Sequence, residues 1–184
     1  NLAAICHQRL GDPEQAISCW RQALQSKPDF ADAYYNMGNL FNEIRRFQEA
    51  EGSYRQALRY KPNYAEAYNN LGVVLNELKR FPEAQAAYRK ALRLRSDYPE
   101  AYNNLGVILN TMRAFVEAEV AFRQAIALRP NYVDPLKNLG ILLSSLKRYE
   151  EAVTIYRKLL QLKPDHVQVT NNIGVILTTM HRYE

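Results

Sequence analysis

Ala65-Glu66-Ala67-Tyr68-Asn69-Asn70-Leu71-Gly72 is the stretch that decides the fold, because the chain repeats it. The same letters, with Pro in place of the first Ala, return at residues 99–106, and looser versions surround Gly38, Gly140 and Gly174. Consecutive glycines of this series are 34 residues apart. A fixed period of this length predicts a stacked repeat array, in which each repeat buries its apolar face against its neighbours.

The glycine period divides the chain into repeats, which we number from 1 to 34 with the glycine at position 8. The full repeats are 31–64, 65–98, 99–132 and 133–166, and partial repeats cover 1–30 and 167–184. Neither end shows the polar capping helix that such arrays need for solubility. We therefore expect a single array over 1–184 that is a segment of a longer one and can self-associate through its uncapped ends.

Two helical patterns follow one another within each repeat. In 65–98, apolar or small residues occupy positions 3, 4, 7, 8, 10, 11 and 14, which share one broad arc of a helix. A second helical pattern runs from Ala84 to Leu92. Pro82 stands where this second helix begins, and Pro62 follows the end of the preceding one. The sequence therefore predicts an all-α fold of helix–turn–helix units.

The start of each first helix carries a second signal. An Asp or Asn is followed three residues later by an acidic or amide residue, as in Asn63/Glu66 and Asp97/Glu100. This spacing predicts a repeated capping box, in which the first side chain accepts a hydrogen bond from a backbone N–H of the first turn.

Small and large residues stand at fixed positions across the two helices. Glycine at position 8 and alanine at position 20 are expected to let the helices approach, and a large ring at position 24 to fill the space beside them. The rings are Trp20, Tyr54, Tyr88, Phe122 and Tyr156. Ser96 replaces a linker proline and is expected to loosen one joint between repeats.

These residues resemble the tetratricopeptide repeat family. Its pattern W-x2-L-G-x2-Y…A-x3-F…P is matched by Tyr68, Leu71, Gly72, Leu75, Ala84, Tyr88 and Pro62, with equivalents in every full repeat. The resemblance implies a right-handed α-solenoid superhelix whose first helices line a concave groove.

The polar arc of the first helix carries a column of asparagines, which is unexpected because Asn is a mediocre helix former. Position 6 supplies Asn36, Asn70, Asn104, Asn138 and Asn172, position 5 adds Asn69 and Asn103, position 12 adds Asn76 and Asn110, and position 9 carries Val73, Val107 and Ile141. A carboxamide both donates and accepts hydrogen bonds, so it can hold a peptide backbone without selecting side chains. We therefore predict an extended protein or peptide ligand on this arc. The alternative is that the position-6 asparagines only bond neighbouring repeats.

Within the family, the asparagine column is most similar to the array of O-GlcNAc transferase-type proteins, which hold extended segments on an asparagine ladder. This similarity implies that the chain could serve as the substrate-recruiting arm of a larger glycosyltransferase, and a self-assembling module is a further alternative to a simple scaffold. The chaperone-binding clamp of other family members lacks its cationic half here, since Glu100 and Asn104 stand where that clamp has Lys and Arg.

Charged residues follow the same period. Acids at position 2 fit helix capping better than ligand selection, whereas Glu43 and Glu77 at position 13 are further candidates for contacting a basic ligand. Arginines of the turn and the second helix are interpreted as a solvated outer face, with nucleic acid binding as the alternative. The net charge of +5 is too small to indicate nucleic acid by itself.

No catalytic or metal-binding pattern accompanies the repeats. Cys6 and Cys19 fit no zinc-ligand spacing and are interpreted as buried, reduced residues. His7, His166 and His181 stand alone, and no phosphate-binding loop is present. No apolar run approaches 18 residues. The sequence thus favours a non-enzymatic cytoplasmic protein with no metal, no cofactor, and neither nucleic acid nor membrane as a partner.

Overall fold

The computed structural model describes residues 13–180, which form ten α-helices and no β-strand. In chain order they are α1 Pro13–Ser26, α2 Ala31–Glu43, α3 Phe47–Tyr60, α4 Ala65–Glu77, α5 Phe81–Leu94, α6 Pro99–Thr111, α7 Phe115–Leu128, α8 Val133–Ser145, α9 Tyr149–Leu162 and α10 Val167–Met180. The even-numbered helices are the first helices of the repeats and the odd-numbered ones are the second helices. The predicted all-α class and the two helices per repeat are confirmed. The interpretations of Cys6, His7 and His181 lie outside the described residues.

The chain divides into two compact units, residues 1–96 and 97–184. The described part of the first unit contains α1 to α5, and that of the second contains α6 to α10. Within each unit, every helix packs against the next one along the chain. The boundary follows Ser96, the residue that replaces the linker proline.

The core of each full repeat is an aromatic ring of the second helix seated on a glycine of the first. A β-carbon built at Gly72 would lie 2.6 Å from Cε1 of Tyr88, closer than real β-carbons approach other atoms. The same ring-on-glycine arrangement recurs at Gly38, Gly106 and Gly140. The position-20 alanines of these repeats are fully buried. The predicted packing is confirmed, because only residues this small allow the two helices to approach.

The predicted capping boxes are wrong. The N-cap residues of α2, α4, α6 and α8 are Phe30, Tyr64, Tyr98 and Tyr132, and none of them makes a side-chain capping hydrogen bond. Each N-cap residue is therefore the aromatic residue that follows the Asp or Asn. The Asp or Asn lies one residue before the N-cap and does not cap the helix. The rings serve packing instead: the Tyr64 ring lies 4.8 Å from that of Tyr35.

The turn within each full repeat contains a non-glycine residue in the left-handed region. These residues are Arg45, Lys79, Arg113 and Lys147, with φ between 59° and 62°. The N–H groups of Lys79 and Arg80 donate to the carbonyl oxygens of Asn76 and Leu75, both at 2.9 Å, which satisfies the end of α4. Glycine is the usual residue at such a site. Because no glycine is present here, the sequence does not indicate this turn.

Candidate functional site

The candidate site is the surface formed by positions 2, 5, 6, 9, 12 and 13 of the first helices, here called the first-helix face. Residues three or four apart on a helix are neighbours, so position 9 lies between positions 5 and 6 on one side and 12 and 13 on the other. In the first unit, α2 and α4 contribute this face. In the second unit, α6, α8 and α10 contribute it.

In the first unit, Asn70 lies at the centre of a hydrogen-bonded cluster. Its Nδ2 donates to Oδ1 of Asn39 at 2.9 Å and to the hydroxyl oxygen of Tyr35 at 3.2 Å. Its Oδ1 accepts from Nδ2 of Asn69 at 3.1 Å. The hydroxyl of Tyr54 also donates to Oδ1 of Asn39, at 2.7 Å. Asn70 therefore ties α4 to α2, which is the bonding between repeats that the alternative interpretation predicts.

In the second unit, two more position-6 asparagines bond to a preceding helix. Nδ2 of Asn138 donates to Oδ1 of Asn103 at 3.0 Å, which links α8 to α6. Nδ2 of Asn172 donates to the hydroxyl oxygen of Tyr156 at 3.2 Å, which links α10 to α9. Within residues 13–180, Oδ1 of Asn138 makes no hydrogen bond and is still able to accept one.

The position-5 asparagines are not on the exposed arc as expected. Asn69 and Asn103 are only 6% and 7% exposed. Asn103 accepts the hydrogen bond from Asn138, so position 5 lies at the seam where two first helices meet. The expectation of exposure is wrong because the 100° spacing of side chains around one helix does not show where the next helix covers it.

Other predicted site residues keep free hydrogen-bonding groups. Asn36, Asn76 and Asn110 are half-buried, and their carboxamides make no hydrogen bond to any residue of 13–180. Asn104 is also half-buried but, unlike these three residues, it is not unpaired. At position 9, Val73 and Val107 are half-buried and Ile141 is 41% exposed. The first-helix face thus offers unpaired amides beside partly exposed aliphatic side chains.

Three of the four acids at position 2 form ion pairs with bases that follow the second helix, whereas Asp134 pairs with Lys137 of its own helix at 3.7 Å. The three pairs are Glu66–Arg95 at 2.5 Å, Glu100–Arg129 at 2.6 Å and Asp32–Lys61 at 3.3 Å. Arg95 and Arg129 are the C-cap residues of α5 and α7. These acids therefore connect the two ends of a repeat, a role that neither the capping nor the ligand-selection interpretation includes. The 29-residue spacing of these three pairs is visible in the sequence.

Arginines on the second-helix side form closed rings with glutamates. In the first unit, Arg55 and Arg80 each contact both Glu51 and Glu83, at distances of 2.6 to 3.2 Å. In the second unit, the same ring consists of Arg123, Arg148, Glu119 and Glu151. The hydrogen bond from Arg148 is the main cause of the lowered pKa of Glu119. These arginines are already neutralised by carboxylates, which leaves less positive charge for binding phosphates.

Residues 13–180 contain no group of three or more His, Cys, Asp or Glu side chains placed to hold a metal ion. None of the helices described above is long and apolar enough to cross a membrane.

Comparison with known families gives matches along most of the chain. Models described as tetratricopeptide repeat match residues 35–99, 99–132 and 138–166, and a model described as TPR repeat matches residues 9–44. A comparison with curated proteins finds no match.

Several solved structures share the fold. MamA from Desulfovibrio magneticus RS-1 is 20% identical with a TM-score of 0.82, covering 90% of this chain and 94% of its own. YrrB, described as a TPR protein with an unusual peptide-binding site, is 24% identical with a TM-score of 0.77, covering 90% and 85%. PilF of Pseudomonas aeruginosa is 23% identical with a TM-score of 0.79, covering 96% and 86%. At these identities the likeness concerns the fold alone.

Proposed function

The chain belongs to the tetratricopeptide repeat family, and we propose that it is an interaction scaffold whose first-helix face binds an extended segment of a partner protein. The observation that carries the proposal is the set of carboxamides on this face that have no hydrogen-bond partner within the described residues. These half-buried amides are open to solvent, and a ligand backbone would supply both donors and acceptors in place of water. The structural neighbour YrrB, described by its peptide-binding site, supports the same kind of role.

Residues at positions 12 and 6 would bond the ligand backbone, and residues at position 9 would contact its side chains. Asn76 and Asn110 would bond the ligand backbone through their free carboxamides. Oδ1 of Asn138 would accept from a ligand amide while Nδ2 keeps its bond to Asn103. Val73, Val107 and Ile141 would contact ligand side chains, since apolar surface next to polar groups is the usual composition of a binding site. Asn70 contributes mainly to stability, because both of its N–H donors are already engaged.

The proposal is tested with peptides selected from a random 12-residue library by binding to the full chain. Replacing Asn76 and Asn110 together by Ala should weaken the selected peptides about tenfold or more, because each lost hydrogen bond contributes about 1 kcal/mol. The thermal midpoint should not change. Asn70→Ala is the matched control and should lower the midpoint. Failure to select any peptide, or unchanged affinity in the Asn76/Asn110 variant, would contradict the proposal.

Two other roles stay predictions from the asparagine pattern. A substrate-recruiting arm requires a glycosyltransferase domain in the same polypeptide, which the gene sequence would show. A self-assembling module requires a sedimentation coefficient that rises with protein concentration. Neither role conflicts with peptide binding on the first-helix face, because one array can combine several functions.

A further inference from the structure

Gly52 lies inside helix α3, where the packing does not require a glycine. A β-carbon built on Gly52 would meet nothing within 4 Å, whereas one on Gly38 would strike the ring of Tyr54. No glycine of the described chain has a positive φ, so the backbone does not require a glycine either. Glycine inside a helix lowers stability relative to other residues. The equivalent residues of the later repeats are Ala86, Val120 and Thr154. Folding therefore does not explain the missing side chain at this position.

Gly52 lines a surface pocket of about 320 Å³ between helices α1, α2 and α3. We call it the Gly52 pocket, and its principal residues are Arg21, Tyr34, Met37, Phe41, Gly52 and Gln56. Phe41 is buried, whereas Tyr34 and Met37 are half-buried and keep part of their surface open. The equivalent pocket one repeat later, which Ala86 lines, has a volume of about 240 Å³. The missing side chain thus accompanies a larger pocket with an aromatic and apolar floor.

Two exposed side chains of the Gly52 pocket have unused hydrogen-bond donors. Arg21 of α1 and Gln56 of α3 make no hydrogen bond or ion pair with any residue of 13–180. The equivalent arginines Arg55 and Arg123 each pair with two glutamates. Arg21 lacks the glutamate four residues earlier in the chain, because Ile17 stands there. A guanidinium and a carboxamide both donate hydrogen bonds that a carboxylate accepts.

Two further polar residues line the Gly52 pocket, and both are already engaged. The two carboxylate oxygens of Glu49 accept hydrogen bonds from the guanidinium of Arg46, so this negative charge is compensated. The hydroxyl of Ser53 donates to the carbonyl oxygen of Glu49 at 2.8 Å, within helix α3. The pocket therefore has unused donors on Arg21 and Gln56 and no uncompensated carboxylate, which favours a negatively charged group in a ligand.

We propose that the Gly52 pocket binds a small aromatic carboxylate. The ring of the ligand occupies the space that Gly52 leaves open and contacts Tyr34 and Met37, since rings and thioethers pack favourably on a further ring. The carboxylate accepts hydrogen bonds from Arg21 and Gln56. A volume of about 320 Å³ is at the lower end of the range for ligand pockets and suits a small acid. These residues do not belong to the first-helix face, so the site is independent of the proposed function.

The test uses the full chain and indole-3-propionate as the probe, with binding measured by isothermal titration calorimetry. Indole-3-propionamide keeps the ring without the charge, and propionate keeps the charge without the ring. Each of them should bind about tenfold or more weakly than the probe, because each lacks one part of the proposed contact. Arg21→Gln should weaken the probe about tenfold and leave the affinity for the amide unchanged.

Gly52→Leu should abolish binding because its side chain fills the pocket, and it should raise the thermal midpoint because leucine favours a helix more than glycine. Loss of binding in this variant is then not caused by unfolding. Ala86→Leu is the matched control, since it fills the equivalent pocket one repeat later and should keep the affinity.

Three results would overturn the proposed site. These are no binding of the probe at about 10 mM, an affinity for the probe no higher than that for the amide, and an equal effect of Gly52→Leu and Ala86→Leu. None of them affects the proposed function, because peptide binding is tested on a different face of the chain.

Discussion

The ring of Phe122 occupies the space that a side chain on Gly106 would need. A β-carbon at Gly106 would lie 2.6 Å from Cε1 and 2.7 Å from Cδ1 of this ring. The ring is 1% exposed, so it has little room to move away. Helix α7 can therefore pack closely on α6 only because position 8 has no side chain.

Gly106→Ala is expected to destabilise the chain by about 1–3 kcal/mol, the usual cost of overpacking a filled core. Gly174→Ala is the matched control, because Gly174 occupies the same repeat position but has nothing within 4 Å of its would-be β-carbon. That control should be neutral or stabilise the chain by up to about 1 kcal/mol through higher helix propensity. Urea denaturation followed by circular dichroism measures both, and similar effects of the two changes would contradict the steric explanation.

Lys79→Gly is expected to stabilise the chain by about 1 kcal/mol, since a left-handed backbone conformation strains a side chain but not glycine. Lys79 has a φ of 61° in the turn after α4. The same substitution at Lys158, an exposed residue within α9, should instead cost about 1 kcal/mol. Thermal unfolding of the two variants gives the comparison. A lower midpoint for Lys79→Gly would show that the lysine side chain makes a contribution that outweighs the strain.

Stability should fall as the solution becomes acidic, and Glu119 should account for part of the loss. Hydrogen bonds from Arg148 hold the pKa of Glu119 below its ordinary value of 4.5 in the folded chain. A lowered folded-state pKa contributes stability above the unfolded pKa, and that contribution is lost as pH falls through the folded pKa. Glu119→Gln should therefore destabilise the chain at pH 7, and its difference from the unmodified chain should shrink towards pH 3.

Glu150→Gln is the control for this pH dependence, because Glu150 is exposed and lies outside the Arg–Glu ring. Urea midpoints measured from pH 7 to pH 3 should follow the unmodified chain. A constant difference between Glu119→Gln and the unmodified chain across this range would argue against the ionised ring as the cause.

Asn70→Ala should lower stability by about 1–2 kcal/mol, because it removes the bonds to Asn39 and Tyr35 that join α4 to α2. Asn36→Ala offers a direct comparison at the same repeat position. Its carboxamide makes no hydrogen bond to the described residues, so the change should be neutral or slightly stabilising. Differential scanning calorimetry of the two variants would distinguish them. Equal midpoints would mean that the Asn70 bonds add nothing to the stability of the folded chain.

Tyr54→Phe and Tyr88→Phe remove the same atom from equivalent rings but should differ in effect. The first change deletes a hydrogen bond of 2.7 Å to Asn39 and should cost about 1 kcal/mol. The second deletes a hydroxyl without a protein partner in the described chain and should be nearly neutral, because this hydroxyl is open to water. Chemical denaturation of both variants tests this, and an equal cost would indicate a bond to the Tyr88 hydroxyl.

The predictions from the sequence were correct where the structure depends on residue size recurring at a fixed interval. The 34-residue spacing of Gly38, Gly72 and their equivalents predicted the helix pair and its ring-on-glycine core. The capping boxes failed because the helices begin one residue later than the spacing indicates, with Tyr64 and not Asn63 at the N-cap. The ring of this tyrosine packs against that of Tyr35, a tertiary contact that the spacing alone does not reveal.

The candidate site was predictable only as a column of residues. Asn70 and Asn76 both stand on the predicted polar arc, yet one is engaged with α2 and the other has a free carboxamide. The paired state of an amide depends on atoms about 30 residues away in the chain, at separations near 3 Å. The position of a residue on a helical wheel does not specify which of these distant atoms it will meet.

The sequence by itself determined the repeat length, the pairing of helices and the seating of rings on glycines, because these depend on side-chain size and hydrophobicity recurring at a fixed interval. Only the tertiary structure decided which carboxamides join neighbouring repeats, which acids meet a base and which stay unpaired. The physical reason is that hydrogen bonds and ion pairs require two groups within a few ångströms, and the chain brings them together only when its helices pack.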